Sequence, residues 1–481
     1  MIVEGARMRR LFVLFLLFGF CAPSVEMKAL VRMIPDQEKY FASEVIPDFE
    51  DEHNAEIEVV HYESVDSIDR ELRLTRGEAG LVKVPFDRAA SLAETGLIRP
   101  LDSFLNESEL SEFKDTYLLT SLGQFDGNQY YVPRKFETRI LVYRISKVAE
   151  AVTLWKDHRA DIENELRRYN ERGLPATYRL ENDPNEWDFF DVFVVGWVWA
   201  HTPQNGRVSP RVAHRGKEYS GTALRVIDRV YQCGGNGEDV VGIDGEAVID
   251  AFFWEAIYAA SEIYNHRMWE EQWSGTGVWE GFGSDDVYLS FMTQLDCFFI
   301  HGTGRDGLSG YLPDPDDMGV ATMPAGCSVD LDSHGNIIRI GSSAVTTGGW
   351  WWGIPADSPD PRTSYKLARH ITSTKNQIQG CGRFGMIPVR KDILSDMSML
   401  FGGGWISNIY AVSFEQLMEN RKTVLPSQSG FDKVRNVYLS AWSDIVVRGN
   451  WSADRKYPNR QYIADLLSAV YSLKVKAVPI D

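Results

Sequence analysis

The chain has no C-x-x-C pair: its five cysteines, Cys21, Cys233, Cys297, Cys327 and Cys381, are scattered over 481 residues. That spacing removes the zinc ribbons and dithiol redox centres that need two sulfurs close together in the chain. There is no G-x-x-x-x-G-K-[ST] phosphate loop, no G-x-S-x-G nucleophile elbow and no H-E-x-x-H. The usual marks of nucleotide, acyl-transfer and metallopeptidase chemistry are therefore missing. The nine histidines do not cluster, and His61 and His301 read as hydrogen-bonded structural residues. Neither a cofactor nor a metal is implied. Basic residues are in the minority, 50 against 68 acidic ones, for a formal charge of −18. With no basic stripe to interrupt that field, nucleic acid is excluded as a partner, and the acidity reads as solubility.

Long hydrophobic runs are scarce too. The run "LFVLFLLFGF" at residues 11–20 is half of the ~20 residues needed to cross a bilayer. Arg7, Arg9 and Arg10 precede it and the small residues Ala22, Pro23 and Ser24 follow. A basic end, a short apolar run and small residues form an export signal, expected to span residues 1–24, with Met8 as an alternative start. A lipid anchor on Cys21 would normally want a small residue before it, and Phe20 stands there. The expected product is a secreted, unanchored chain. Removing residues 1–24 takes away three arginines and one glutamate and leaves it more acidic still.

What remains is globular in composition, 44% hydrophobic and 25% charged, and long enough for two or three domains. Residues 28–34 ("KALVRMI") read as a buried strand and 55–62 ("AEIEVVHY") as an alternating one. A Ser64-capped helix follows. Residues 79–96 ("AGLVKVPFDRAASLAETG") give a strand, then a helix with Pro85 in its first turn. This order predicts an α/β fold with mostly parallel, doubly wound sheets. Residues 128–144 ("NQYYVPRKFETRILVYR") read as two strands joined through Pro133. Residues 293–300 ("TQLDCFFI") and 317–324 ("DMGVATMP") read as further strands, and 269–283 ("WEEQWSGTGVWEGFG") as a Trp- and Gly-rich loop. Helices are expected over 221–231, over 248–264 and along the C-terminal stretch. With no floppy tether between two α/β lobes, the chain is expected to cross between them more than once.

Tryptophan is abundant. There are fourteen, many beside glycines, and "TTGGWWWGIP" at 346–355 places three in a row. Alternation along a strand sends Trp350 and Trp352 to one face and Trp351 to the other. Indole faces stack on the C–H faces of pyranose rings, while carboxylates and guanidinium groups hydrogen-bond the hydroxyls. Asp87 and Glu137 also admit another class, a secreted glycosidase or lyase, which needs two carboxylates about 5–9.5 Å apart across one bond.

Five stretches carry a resemblance: "VIPDFEDEHNAEIEV", "LVKVPFDRAASLAETGLIRPLD", "YYVPRKFETRILVYR", "GGWWWGIPADSPDPRTSYKLARHITSTKNQ" and "FGMIPVRKD". In their order and spacing the chain resembles the extracellular solute-binding proteins of ABC importers, the family that contains the maltose-binding protein, over nearly all of its length after residue 24. The resemblance implies two α/β lobes joined by a multi-strand hinge, the type II periplasmic-binding-protein fold. It implies a first lobe of residues 25–136 plus 350–395 and a second of 137–349 plus 396–481. It further implies capture of a small solute, a sugar or oligosaccharide, by clamshell closure, and delivery from the periplasm to ABC permease subunits by a monomer that is not an enzyme.

By the same resemblance, the solute-binding residues are Asp36 after the first strand, the pair Asp87 and Arg88, and Glu137 with Arg139 at the hinge. Trp187 is the second-lobe aromatic platform with Glu186 or Phe189 in support, and Trp350 lines the sugar pocket. Val84 and Gly304 stand where the maltose binder has tryptophans, so maltose itself is not implied. Arg134, Lys135 and Arg139 crowd the hinge, which raises an acidic sugar such as a uronate-containing oligosaccharide. Cys233, Cys297 and Cys327 fall in the second lobe and Cys381 in the first, so at most one disulfide is expected, within the second lobe, with Cys381 reduced.

Overall fold

A computed structural model describes residues 24–202, 206–302, 310–394, 404–418 and 431–476. The export segment, apart from Ser24, and Gly304 lie outside these residues. Among them, no helix is long and apolar enough to cross a membrane. Two open sheets organise the chain. The first has β1 (Val25–Val31), β2 (Ala55–His61), β3 (Ala79–Pro85), β6 (Tyr131–Glu137) and β11 (Gly348–Gly353), in the order β2-β1-β3-β11-β6. A small hairpin, β4 (Gln124–Phe125) with β5 (Asn128–Gln129), stands apart from it. The second sheet has β7 (Arg139–Arg144), β8 (Val212–Ala213), β9 (Leu289–Thr293) and β10 (Met318–Ala321), in the order β10-β7-β9-β8.

In each sheet all strands but one run the same way. The exceptions are β11, antiparallel to both β3 and β6, and β7, antiparallel to both β9 and β10. These are the strands by which the chain changes sheet. Strand β6 ends the first sheet at Glu137, and β7 opens in the second at Arg139, with only Thr138 between them. The return is made through β11. Asp228 clasps both crossings: it pairs with Arg139 and accepts from Thr346 N at 2.8 Å and Thr346 Oγ1 at 2.6 Å. Asp228 belongs to helix Ser220–Gln232 of the second lobe, so that helix is tied to the hinge.

The helices follow from apolar spacing and caps. Phe189–His201 is buried from Phe189 to Ala200 and is apolar on all sides, the pattern of a helix surrounded by protein. Asp188 and Asp191 form its capping box.

Four local expectations need correcting. Residues 293–300 are not a strand: β9 stops at Thr293, and Gln294–His301 is a helix whose capping box is Thr293 with Asp296. The supposed loop at 269–283 contains two helices, Arg267–Glu270 and Gly275–Gly283. Its glycines serve packing, since a Cβ at Gly277 would lie 2.6 Å from the Trp273 ring and one at Gly281 2.5 Å from Val287. The strands of 128–144 part at Thr138, and Pro133 lies inside β6, where the register with β11 slips. A bulge tolerates the proline's missing donor. Pro85 ends β3 and precedes a 3-10 turn, Phe86–Arg88, before helix Ala89–Glu94. Cys233, Cys297, Cys327 and Cys381 are all buried and unbonded, and burial pushes the Cys381 thiol up to about 12.

Candidate functional site

A cavity of about 690 Å³ opens between the two sheets. The first lobe contributes the ends of β1 and β3 and the tryptophan strand, with Arg32, Lys83, Asp87 and Trp350. The second contributes Arg139, Arg215, Tyr219, Arg225 and Phe291. Glu137 and Thr138 line it at the hinge.

The geometry of "GGWWWG" follows from register. Trp350 lies opposite Pro85 on one side and Lys135 on the other, and Trp352 opposite Lys83. Lys83, Trp350 and Trp352 therefore share a sheet face, and the Lys83 Nζ sits 4.1 Å from the Trp350 ring centroid. Trp350 is half-buried and lines the cavity. Trp352 is fully buried, stacked on Phe41 at 5.8 Å with Arg134 on its ring. Trp351 takes the opposite face, packed on Phe86 and Tyr131.

Gly349 has φ +149°, and a Cβ there would lie 2.5 Å from Lys135 O, whereas one at Gly348 meets nothing nearer than 3.4 Å. Gly349→Ala is expected to destabilise by about 1–3 kcal/mol and Gly348→Ala by much less, as read by urea unfolding. Equal losses would mean that the close approach is not what glycine serves at 349.

Four of the expected site residues meet at the cavity: Asp87, Glu137, Arg139 and Trp350. All three charged ones already hold a protein partner. Asp87 pairs with Arg435 from helix Phe431–Trp442, Glu137 with Lys135, and Arg139 with Asp228. Burial raises the Asp87 carboxyl above its ordinary range, more than Arg435 lowers it. Burial also opposes ionisation of Glu137, but Lys135 outweighs it and the carboxyl ends below its ordinary value.

The other four stand elsewhere. Asp36 is exposed in helix Pro35–Tyr40, whose neighbouring Pro35 and Gln37 line the cavity instead. Arg88 turns to Asp69 at 2.6 Å. Trp187 is fully buried, its Nε1 donating to Glu181 O at 2.8 Å, and Phe189 is buried beneath Arg229 and against Trp254. Neither is a platform in the cleft. They are core, because the helix they introduce is buried on every side. Val84 is likewise buried.

Sequence reasoning passed over Lys83, Arg215, Tyr219 and Arg225. The signal for Lys83 was present: a lone lysine inside the apolar strand "AGLVKVP", which is buried at all seven positions. Arg215 is fixed by a bidentate contact to Asp296 at 2.7 and 2.8 Å. Arg225 is held by Glu255 at 2.7 and 2.6 Å.

Two α/β lobes, two strand crossings and a cleft walled by both lobes define a two-lobed binding protein that holds its guest between halves. Residues 44–399 match the model of the bacterial extracellular solute-binding protein family, and the chain belongs to that family. Comparison with curated proteins gives no match. Solved structures share the fold. Maltose-bound MalE3 of T. maritima superposes with a TM-score of 0.65 at 14% identity, covering 93% of this chain and 100% of its own. The GacH receptor of Streptomyces glaucescens, seen unliganded and with acarbose, gives 0.65 at 14% over 95% and 100%. The Listeria monocytogenes substrate-binding protein Lmo0181, in complex with cycloalternan, gives 0.65 at 12% over 94% and 99%.

Proposed function

We propose that the protein captures a sugar or oligosaccharide in the periplasm, closes its lobes on it, and presents it as a monomer to the permease subunits of an ABC importer. The observation that carries this reading is the interlobe cavity, which joins an accessible indole, Trp350, to charged side chains of both lobes. Its size, about 690 Å³, suits one or a few sugar rings. Relatives of the same fold are bound to maltose, acarbose and cycloalternan. The lobes divide at Thr138 and at the start of β11, with Asp228 as the clasp, and the solute shifts the population toward the closed form. Among the expected residues, Glu137, Arg139 and Trp350 are retained as solute contacts. Asp87 acts through Arg435. The glycoside-cleaving alternative is disfavoured, because the carboxylates of Asp87 and Glu137 are both engaged by protein cations.

A thermal-shift screen of mono- and oligosaccharides, followed by calorimetry on the hits, tests the proposal. Failure of every carbohydrate to raise the melting temperature would sink it. With the solute in hand, Trp350→Ala is expected to weaken binding by about 1–3 kcal/mol, roughly ten- to a hundredfold. An unchanged affinity would remove Trp350 from the site.

A further inference from the structure

We infer that the captured solute is an acidic sugar, whose carboxylate is received by Lys83; the inference rests on the sugar-capture reading above. The cations around the cavity are accounted for one by one. Arg139 has Asp228, Arg215 has Asp296, Arg225 has Glu255, and Lys135 has Glu137. Lys83 has no carboxylate within ion-pair distance among the described residues, and Glu137, already paired with Lys135, acts on it only as a nearby charge. Its ammonium donates to Arg32 O at 2.6 Å and otherwise lies over the Trp350 ring, with the residue only 2% exposed. A buried ammonium makes three donations and requires a counter-charge. Here one carbonyl and one indole face stand in its place.

The surroundings increase the need. Burial first, then the neighbouring cations Arg134, Lys135 and Arg32, push the Lys83 ammonium well below its ordinary range and Glu137 offsets them only in part, so a further anion placed at Lys83 favours its charged form. Arg134 is itself buried with no carboxylate, its Nη1 resting on Met386 Sδ at 2.9 Å and its guanidinium on Trp352. Arg32, which is exposed, donates its Nε to a carbonyl, Glu63 O, at 3.1 Å. A chain of net charge −18 thus brings Arg32, Lys83 and Lys135 to the cavity wall, with Arg134 buried nearby, against the lining carboxylates Glu63, Asp87 and Glu137.

A neutral hydroxyl can hydrogen-bond Lys83 but leaves its charge uncompensated. A carboxylate does both. In a hexuronate the carboxylate is one bond from the ring, so a sugar held in the cavity that Trp350 and Lys83 both line can offer its acid group to the ammonium. Hexuronates and short uronate oligosaccharides are the class that meets both requirements.

The test is calorimetry on matched pairs: D-galacturonate against D-galactose, D-glucuronate against D-glucose, and the corresponding 1,4-linked disaccharides. The uronate of at least one pair is expected to bind at least tenfold tighter than its neutral twin, less so at high salt. In Lys83→Met, checked for folding by circular dichroism and urea unfolding, that preference is expected to fall at least tenfold. Neutral twins binding as tightly as the uronates would overturn the inference and leave sugar capture standing. Binding by no member of any pair would overturn the inference, and sugar capture would fall with it where the wider thermal-shift screen also finds no carbohydrate. A folded Lys83→Met protein that keeps the full preference would also overturn it, since the acid group would then be held elsewhere.

Discussion

Glu255→Ala is expected to destabilise the protein by about 3–5 kcal/mol, the range for removing one partner of a buried ion pair. Glu255 is fully buried in helix Glu246–Ala260 and answers two buried arginines. Arg225 holds it through both carboxylate oxygens, Arg229 approaches at 3.2 Å, and Tyr264 Oη donates at 2.7 Å. Truncation leaves two buried guanidinium groups without that counter-charge. Burial opposes ionisation of Glu255, yet Arg225 and Arg229 outweigh it and hold the carboxyl far below the ordinary range. A depressed carboxyl contributes stability that is present above the unfolded-state value, about 4.3, and lost as the pH falls through the folded-state value. Urea unfolding at pH 7 should therefore show the full loss, and the gap to the parent should narrow in strong acid. Arg225 lines the cavity, so the damage also reaches solute binding. A loss below about 1 kcal/mol at pH 7 would mean that the arginines find other anions.

Strands β1, β2 and β3 were legible because each carries a short signal that belongs to it alone: the apolar core of β1, the alternation of β2, the unbroken run of β3. Residues 293–300 show where such signals end. A short apolar run fits a buried strand and a buried helix equally well, and the deciding cue was the Thr293–Asp296 capping box. The site divides in the same way. Alternation along one strand separated the face of Trp350 from that of Trp351, whereas the placing of Trp350, Glu137 and Arg139 at the cleft came from the family resemblance. Trp187 and Phe189 could not be placed, because their burial depends on elements far off in sequence, Trp254 and Arg229 among them. The lack of an ion-paired carboxylate for Lys83 among the described residues is likewise a property of three strands together. It appears only when β3, β11 and β6 lie side by side and the bulge at Pro133 sets Arg134 and Lys135.

Arg435→Ala is expected to leave the protein folded while weakening solute binding at least about tenfold. Arg435 stands on a helix packed against the second lobe, with Tyr438 stacked on Phe252 and Trp442 against His214, but its guanidinium is given to Asp87 of the first. The pair therefore spans the cleft. Truncating one partner of a buried charge pair costs about 2–5 kcal/mol, and the position of this pair decides where that cost falls. Glu255 and its arginines belong to one lobe, so opening the cleft relieves nothing. Asp87 and Arg435 belong to different lobes, so opening returns a lone Asp87 to water. The loss then falls on closure, and apparent affinity drops with the closed fraction. The same geometry sets a pH dependence. Burial already raises the Asp87 carboxyl with Arg435 present, and without the arginine it must rise further. Closure of the variant then takes up a proton at Asp87, which acid favours, so calorimetry at pH 5 should show a smaller defect than at pH 7. A cycle with Asp87→Ala separates the alternatives. If Asp87 acts through Arg435, the double variant binds about as well as either single one. If the losses add in full, Asp87 touches the solute directly and the latch is wrong.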